Sequence, residues 1–80
     1  MNKQQPLTVY YAWVVMESDG REGVISAFVP GLPGITALQN RDYDVVLSLG
    51  DIAKTHADRR GQEVRLVKFV RAQVLEVYKP

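Results

Sequence analysis

The segment Pro30-Gly31-Leu32-Pro33-Gly34 constrains the fold of this chain more than any other stretch. Proline cannot donate a backbone hydrogen bond and glycine favours turn conformations, so a continuous strand cannot run through the segment. Residues 24–29, directly before it, carry the β-branched and aromatic side chains typical of a strand. Residues 35–38, directly after it, are long enough for only a brief strand. The segment therefore predicts a sharp turn between two strands.

A second turn signal lies earlier in the chain. Residues 8–16 are almost continuously apolar and rich in residues that favour strands, and residues 17–23 contain Asp19-Gly20, a common hairpin turn pair. These features predict a β-hairpin whose first strand is residues 8–16 and whose return strand is residues 24–29.

The length of the hairpin loop decides which side chains share a face. With a two-residue turn, Val14 lies opposite Ile25, but Glu17 and Glu22 then face each other, which is mildly unfavourable. A loop one residue longer exchanges the faces of one strand relative to the other, and the sequence leaves this alternative open. In the two-residue register one face holds apolar residues of both strands: Tyr11, Trp13, Val15, Val24 and Phe28.

A helix is predicted between the second turn and the last third of the chain. Asp42 or Asn40 can cap its N-terminus, and Arg59-Arg60-Gly61 is a typical helix end, with cations in the last turn and glycine after it. Gly50 lowers helix stability and permits a close approach to the sheet. Five residues recur at helical spacing and predict the buried stripe: Val45, Leu49, Ile52, Ala53 and His56.

Residues 63–69 predict a final strand. Its apolar residues change face between Leu66 and Val67, which suggests a bulge. Residues 70–80 fit a helix or a strand equally well. Together these elements predict a single α+β domain, residues 1–80. Its core is a small, mainly antiparallel sheet of three to four strands (β-hairpin, short strand, helix, C-terminal strand) with one helix packed on one face.

Composition narrows the class of protein. The chain has 80 residues, 46% of them hydrophobic and 24% charged, as in ordinary globular proteins. The net charge of +1 does not indicate nucleic-acid binding. The chain has no cysteine, which excludes disulfides and thiolate metal sites and favours a cytoplasmic location. Residues 1–6 are predicted to be a loose leader, and we expect neither a targeting signal nor a membrane span.

Few residues of the chain are candidates for catalysis or metal binding. His56 is the only histidine, and Asp51, Asp58 and Glu63 are nearby in sequence, but no spacing selects one of them as its partner. The Pro-Gly segment lacks the lysine and threonine of a phosphate-binding loop. We therefore predict no catalytic, cofactor-binding or metal site and no enzyme activity, and we take the basic side chains of residues 59–71 to be solvated.

The hairpin is apolar on both faces, whereas one short helix covers only one of them. The uncovered face would leave a contiguous apolar patch, and such patches usually mark contact surfaces, where tryptophan and tyrosine are enriched. The predicted partner or oligomer interface consists of the aromatic and aliphatic residues of that face: Tyr11, Trp13, Val15, Val24 and Phe28.

Over residues 9–61 the chain resembles the N-terminal domain of HicB-type antitoxins, in which a strand ends in a "VPDLPG"-like turn before a short strand and a helix. The resemblance implies a partial ribonuclease-H-like fold without nuclease chemistry, and a role in binding and masking a small mRNA-cleaving toxin as a dimer or higher oligomer. The residues after Gly61 leave no room for the family's DNA-binding module, so nucleic-acid binding stays undecided. The matching residues are Ala27, Val29, Pro30, Leu32, Pro33 and Gly34.

The sequence thus predicts a cytoplasmic, non-enzymatic protein-binding module of the toxin–antitoxin type that needs no cofactor. One alternative is a small phage- or plasmid-type inhibitor of a host defence enzyme. A second alternative, from a different class, is a small hydrolase or nuclease that uses His56 and a carboxylate.

Overall fold

The computed structural model describes residues 6–80, so the predicted leader lies almost entirely outside the described residues. The predicted α+β architecture is confirmed: a four-stranded antiparallel sheet carries one main helix, preceded by a short one. The elements in chain order are β1 (Val9–Met16), β2 (Glu22–Val24), β3 (Ser26–Phe28), β4 (Ile35–Ala37), β5 (Gln39–Asn40), α1 (Tyr43–Ser48), α2 (Gly50–Arg60) and β6 (Val64–Val70).

The first hairpin has the longer of the two predicted loops. Val14 lies opposite Val24, and the Glu17 N–H donates to the Arg21 carbonyl at 2.8 Å, so three residues form the loop. Gly20 takes a left-handed backbone (φ +88°), which costs glycine nothing and closes such a loop. The two-residue register is therefore wrong, and Val24 lies on the face opposite to the one expected.

Strand β1 is the centre of the sheet. On one side it pairs with β6 over seven residues, and on the other with β2 and β5, which lie end to end. Between β2 and β5, the Trp13 backbone bonds to the two residues that join neighbouring strands: its carbonyl accepts from the Ile25 N–H at 2.9 Å, and its N–H donates to the Leu38 carbonyl at 3.0 Å. The predicted return strand is split at this point.

Between Ile25 and Leu38 the chain leaves the sheet as a separate two-stranded hairpin of β3 and β4, hereafter the arm (residues 26–37). The Leu38 N–H donates to the Ile25 carbonyl at 2.8 Å and closes the base of the arm. The Pro-Gly segment forms its tip, as predicted, and the predicted short strand becomes β4.

The predicted helix is present but interrupted at Leu49. Asp42 caps it, as predicted, by accepting from the N–H groups of Asp44 and Val45, and Gly61 ends it with φ +61°. In a continuous helix the Val46 carbonyl would accept from the N–H four residues later. Here it accepts instead from the Leu49 N–H at 3.0 Å and from the indole N–H of Trp13 at 2.8 Å. The tryptophan thus takes part in the break.

The core lies between the helices and the Trp13 side of the sheet. Val15, Ile25, Leu38 and Ala53 are buried there in one cluster. Of the predicted helical stripe, Ala53 is buried and Leu49, Ile52 and His56 are half-buried. Val45 is exposed, contrary to the prediction, and Val46 is buried instead.

Strand β6 has no bulge, contrary to the prediction, because its register with β1 is unbroken from Val64 to Val70. Val64 and Leu66 share the helix-covered side with Trp13, whereas Val67 and Phe69 lie on the other side with Ala12 and Tyr10. The strand carries apolar residues on both sides, so the two apolar faces seen in the sequence do not require a bulge. Residues 71–80 form neither helix nor strand and are exposed.

Candidate protein-interaction surfaces

The structure separates the five residues of the predicted interface. Tyr11, Trp13 and Val15 lie on the helix-covered side of β1. The Tyr11 ring meets the Tyr43 ring of α1 edge to face at 5.2 Å, and Val15 is buried in the core cluster. The chain's own helices therefore cover these three side chains.

Trp13 is held from three directions. Its indole donates to the Val46 carbonyl, its backbone bonds to Ile25 and Leu38, and its six-membered ring lies 3.4 Å from the point where a Cβ on Gly50 would stand. The predicted close approach at Gly50 is thus confirmed, and the tryptophan has a structural role.

Val24 and Phe28 remain accessible but lie on different surfaces. Val24 is on the side of the sheet that the helices leave open, next to Val14. Phe28 is on the arm, where it pairs directly with Ile35 of β4. The predicted set therefore contributes to two separate surfaces.

The arm carries the most exposed aromatic side chain outside the C-terminal tail. Phe28 and Ile35 are 72% and 66% exposed, and Leu32 at the tip is exposed as well. Their exposure does not reflect a loose arm, because Ala27 and Val29, on either side of Phe28 in the chain, pack against the core cluster. The arm thus presents three apolar side chains from a fixed base.

Leu32 and Ile35 were missed by the sequence reasoning. Their signal was present: an apolar residue inside the Pro-Gly turn, and another just after it at the position that pairs with Phe28 in a hairpin. Treating the turn as the tip of a hairpin would have placed all three residues on one projecting element.

A groove of about 610 Å³ separates the arm from α2. Its arm side is apolar, and its helix side is one face of α2 from Asp51 to Arg60, with cations at the negative end of the helix dipole. The lining residues are Ala27, Phe28, Pro30, Asp51, Ile52, Thr55, His56, Arg59 and Arg60.

The helix side of the groove is positively charged. Within residues 6–80, neither Arg59 nor Arg60 forms an ion pair, and His56 makes no hydrogen bond. Asp51 is the only carboxylate in the lining. The groove combines an apolar wall with unpaired cations and is suited to a ligand that carries both apolar and acidic groups.

The open side of the sheet is the second surface. Tyr10 and Phe69 stack across β1 and β6 with ring centroids 4.9 Å apart and an angle of 12° between the planes. Met16 and Val67 are half-buried on the same side, and Ala12 and Val14 between them are buried. No helix within the described residues covers this side.

Two ionisable groups have shifted pKa values, and both lie away from the groove. The pKa of Asp19 is lowered, first by the backbone N–H of Arg21 and then by its guanidinium group. A hydrogen bond to the Glu76 carboxylate raises the pKa of Tyr78. The first shift belongs to the hairpin loop and the second to the C-terminal tail.

The part of the chain that the structure describes contains no group of three or more histidine, aspartate or glutamate side chains placed to hold a metal ion. Nor does it contain a helix long and apolar enough to cross a membrane. Comparisons of the chain with protein-family models, with curated proteins and with solved structures found no match.

Proposed function

We propose that this chain is a non-enzymatic protein-binding module that docks a protein partner on the arm and its adjacent groove. The observation that carries the proposal is the exposed Phe28–Ile35 pair on an arm whose base is fixed in the core. Exposed aromatic side chains in apolar patches are common anchors of protein interfaces. A base that is already ordered reduces the entropy lost on binding.

The groove adds charge selectivity to this apolar anchor. Arg59 and Arg60 have no ion-pair partner within the described residues and can meet carboxylates of a docked protein. A partner segment with an apolar residue next to acidic residues fits this surface best.

The resemblance to HicB-type antitoxins supports a narrower version of the proposal, in which the partner is a small mRNA-cleaving toxin that the module masks. The residues that carry the resemblance, in the segment 27–34, are those that build the arm. In this version the protein acts in the cytoplasm as a homodimer or higher oligomer. An inhibitor of a host defence enzyme would use the same surface, so the partner's identity decides between the two.

A hydrolase or nuclease reaction at His56 has less support. A general base needs a hydrogen-bond partner or an orienting group within reach. No described residue makes a hydrogen bond to the His56 side chain, which lines the groove together with two arginines and one aspartate.

The test is neutralisation of a toxin encoded by the neighbouring open reading frame. Growth arrest by that product should be relieved when this chain is co-expressed, and the two proteins should form an isolable complex. Replacing Phe28 or Ile35 with serine should weaken the complex by about 30-fold or more, the loss of an anchor worth about 2 kcal/mol.

Leu47→Ser is the matched control. Leu47 is exposed like Phe28 but lies on α1, away from the groove. It should leave the affinity unchanged, and circular dichroism should show all three variants folded. A neighbouring product that is toxic but neither bound nor neutralised would refute the antitoxin version. A complex that tolerates Phe28→Ser and Ile35→Ser would refute the arm as the docking site.

A further inference from the structure

We infer that two copies of this chain associate through the free edge of β6 and form one continuous antiparallel sheet across a two-fold axis. The inference deepens the self-association part of the proposed function and does not depend on a toxin. Two backbone hydrogen bonds mark the ends of the β1–β6 pairing: Met16 N–H to the Glu63 carbonyl at 3.0 Å, and Arg71 N–H to the Thr8 carbonyl at 2.7 Å.

These two bonds define which backbone groups point outward. In an antiparallel pair every second residue bonds to the neighbouring strand. Glu63 and Arg71 both bond toward β1, so the odd-numbered residues between them do the same. The even-numbered residues therefore direct their N–H and C=O groups away from β1, where no strand of the described chain pairs with them: Val64, Leu66, Lys68 and Val70.

This edge lacks most of the features that prevent edge-to-edge pairing. Natural edge strands are often short, bulged, interrupted by proline or covered by another segment. Strand β6 has seven residues, an unbroken register and no proline, and its edge is protected only by the charges of Arg65 and Lys68. It can accept another strand by β-augmentation.

The contact between Glu63 and Arg71 favours a register in which Val67 lies on the two-fold axis. In it Val64 faces Val70 and Leu66 faces Lys68 of the second copy, so all four outward residues are used. Arg71 then faces Glu63 of the second copy, an opposite charge. With Lys68 on the axis, two lysines would face each other, which is unfavourable.

The C-terminal tail (residues 71–80) indicates that the second strand comes from another copy. Its apolar side chains are between 59% and 88% exposed in the single chain: Val74, Leu75, Val77 and Tyr78. In the Val67 register the tail runs past the start of β6 in the second copy, toward a groove lined in part by Met16, Arg60 and Gln62. Association thus gives these side chains a surface that one copy does not provide.

A single cysteine tests the register directly, because the native chain has none. Residues that face each other without hydrogen bonds in an antiparallel pair have Cα atoms about 4.5 Å apart, within the range of a disulfide. Val67→Cys should form a disulfide-linked dimer on mild oxidation. Lys54→Cys, exposed on α2, is the control and should react far more slowly. Equal rates would overturn the inference.

Proline tests the edge itself. The full chain should have a mass of twice 9.0 kDa in solution. Lys68→Pro removes an outward N–H and should reduce the mass to that of one chain, whereas Lys68→Ala, which keeps the N–H, should remain a dimer. Circular dichroism should show both variants folded. A single-chain mass for the native protein, or a folded Lys68→Pro variant that remains a dimer, would overturn the inference.

Charge reversal provides a test that does not depend on the proline variant. Glu63→Arg and Arg71→Glu should each weaken self-association, because each places like charges opposite one another. A mixture of the two variants should form a heterodimer in which both contacts are again attractive. A mixture that stays dissociated would overturn the Val67 register. A native protein that neutralises the toxin but has the mass of one chain would overturn this inference alone, whereas Phe28→Ser tests the proposed function separately.

Discussion

Leu38→Ala should be among the most damaging single substitutions in this protein. Leu38 is fully buried and packs with Val15, Ile25 and Ala53 in the core cluster. Its backbone is fixed on both sides, since its carbonyl accepts from Trp13 and its N–H donates to Ile25. The surrounding chain therefore has little freedom to collapse into the space that the side chain vacates.

The expected loss is large relative to the total stability. Leucine-to-alanine changes in cores cost about 2–5 kcal/mol, with the higher values where the cavity cannot relax. A chain of this length has a total unfolding free energy of roughly 4–12 kcal/mol. We expect a loss of about 3 kcal/mol, which corresponds to a fall in Tm of roughly 12–24 °C.

Guanidinium unfolding followed by tryptophan fluorescence measures the loss, since Trp13 is the only tryptophan and lies beside the core. All variants should be compared at one protein concentration because the self-association proposed above would add to apparent stability. Leu32→Ala, at the exposed tip of the arm, is the control and should change stability by less than about 0.5 kcal/mol. A loss below about 1 kcal/mol for Leu38→Ala would refute the packing account of the arm's base.

Four further predictions use the same unfolding assay or NMR. Asp42→Ala should cost about 1 kcal/mol by removing the helix cap, whereas Asp42→Asn should retain most of the stability. Gly61→Ala should cost about 1–2 kcal/mol because its φ of +61° strains any side chain. Gly50→Ala should stabilise the protein by about 0.4–1 kcal/mol, since its Cβ would make ordinary contact with the indole ring at 3.4 Å; destabilisation would contradict this. In an NMR pH titration, the pKa of Asp19 should lie below that of an ordinary aspartate and should stay partly lowered in Arg21→Gln, because the backbone N–H is the larger cause. The stabilisation from this carboxylate is present above its unfolded pKa and is lost as the pH falls through the lower folded value.

Local signals in the sequence predicted much of the fold correctly. Asp42 and Gly61 mark the ends of the helical region because capping depends on a few adjacent residues. The Pro-Gly turn, the α+β class and the C-terminal strand follow from equally local patterns. Such features need no knowledge of what packs against them.

The features that sequence reasoning missed depend on contacts between distant residues or on a single-residue difference. The helix break depends on the bond from Trp13 to Val46, 33 residues away along the chain. Which side chains share a face of the hairpin depends on whether its loop has two or three residues. The loop has three, so Val24 lies on the side of the sheet opposite to the predicted one. The hairpin register placed Val24 on the open side of the sheet, and the split of the return strand at Ile25 placed Phe28 on the arm.

The hydrogen bond between Leu38 and Ile25 has a consequence for how this protein can vary. It closes the sheet across the gap between β2 and β5, so the central ladder does not depend on what lies beyond that bond. Residues 30–34 lie beyond the Ala27 and Val29 side chains that pack against the core, and they can be shortened, lengthened or exchanged for a foreign sequence while the scaffold beneath them stays intact. Binding specificity and folding would then be free to diverge independently, and grafting a different tip onto residues 30–34 becomes a practical route to new partners.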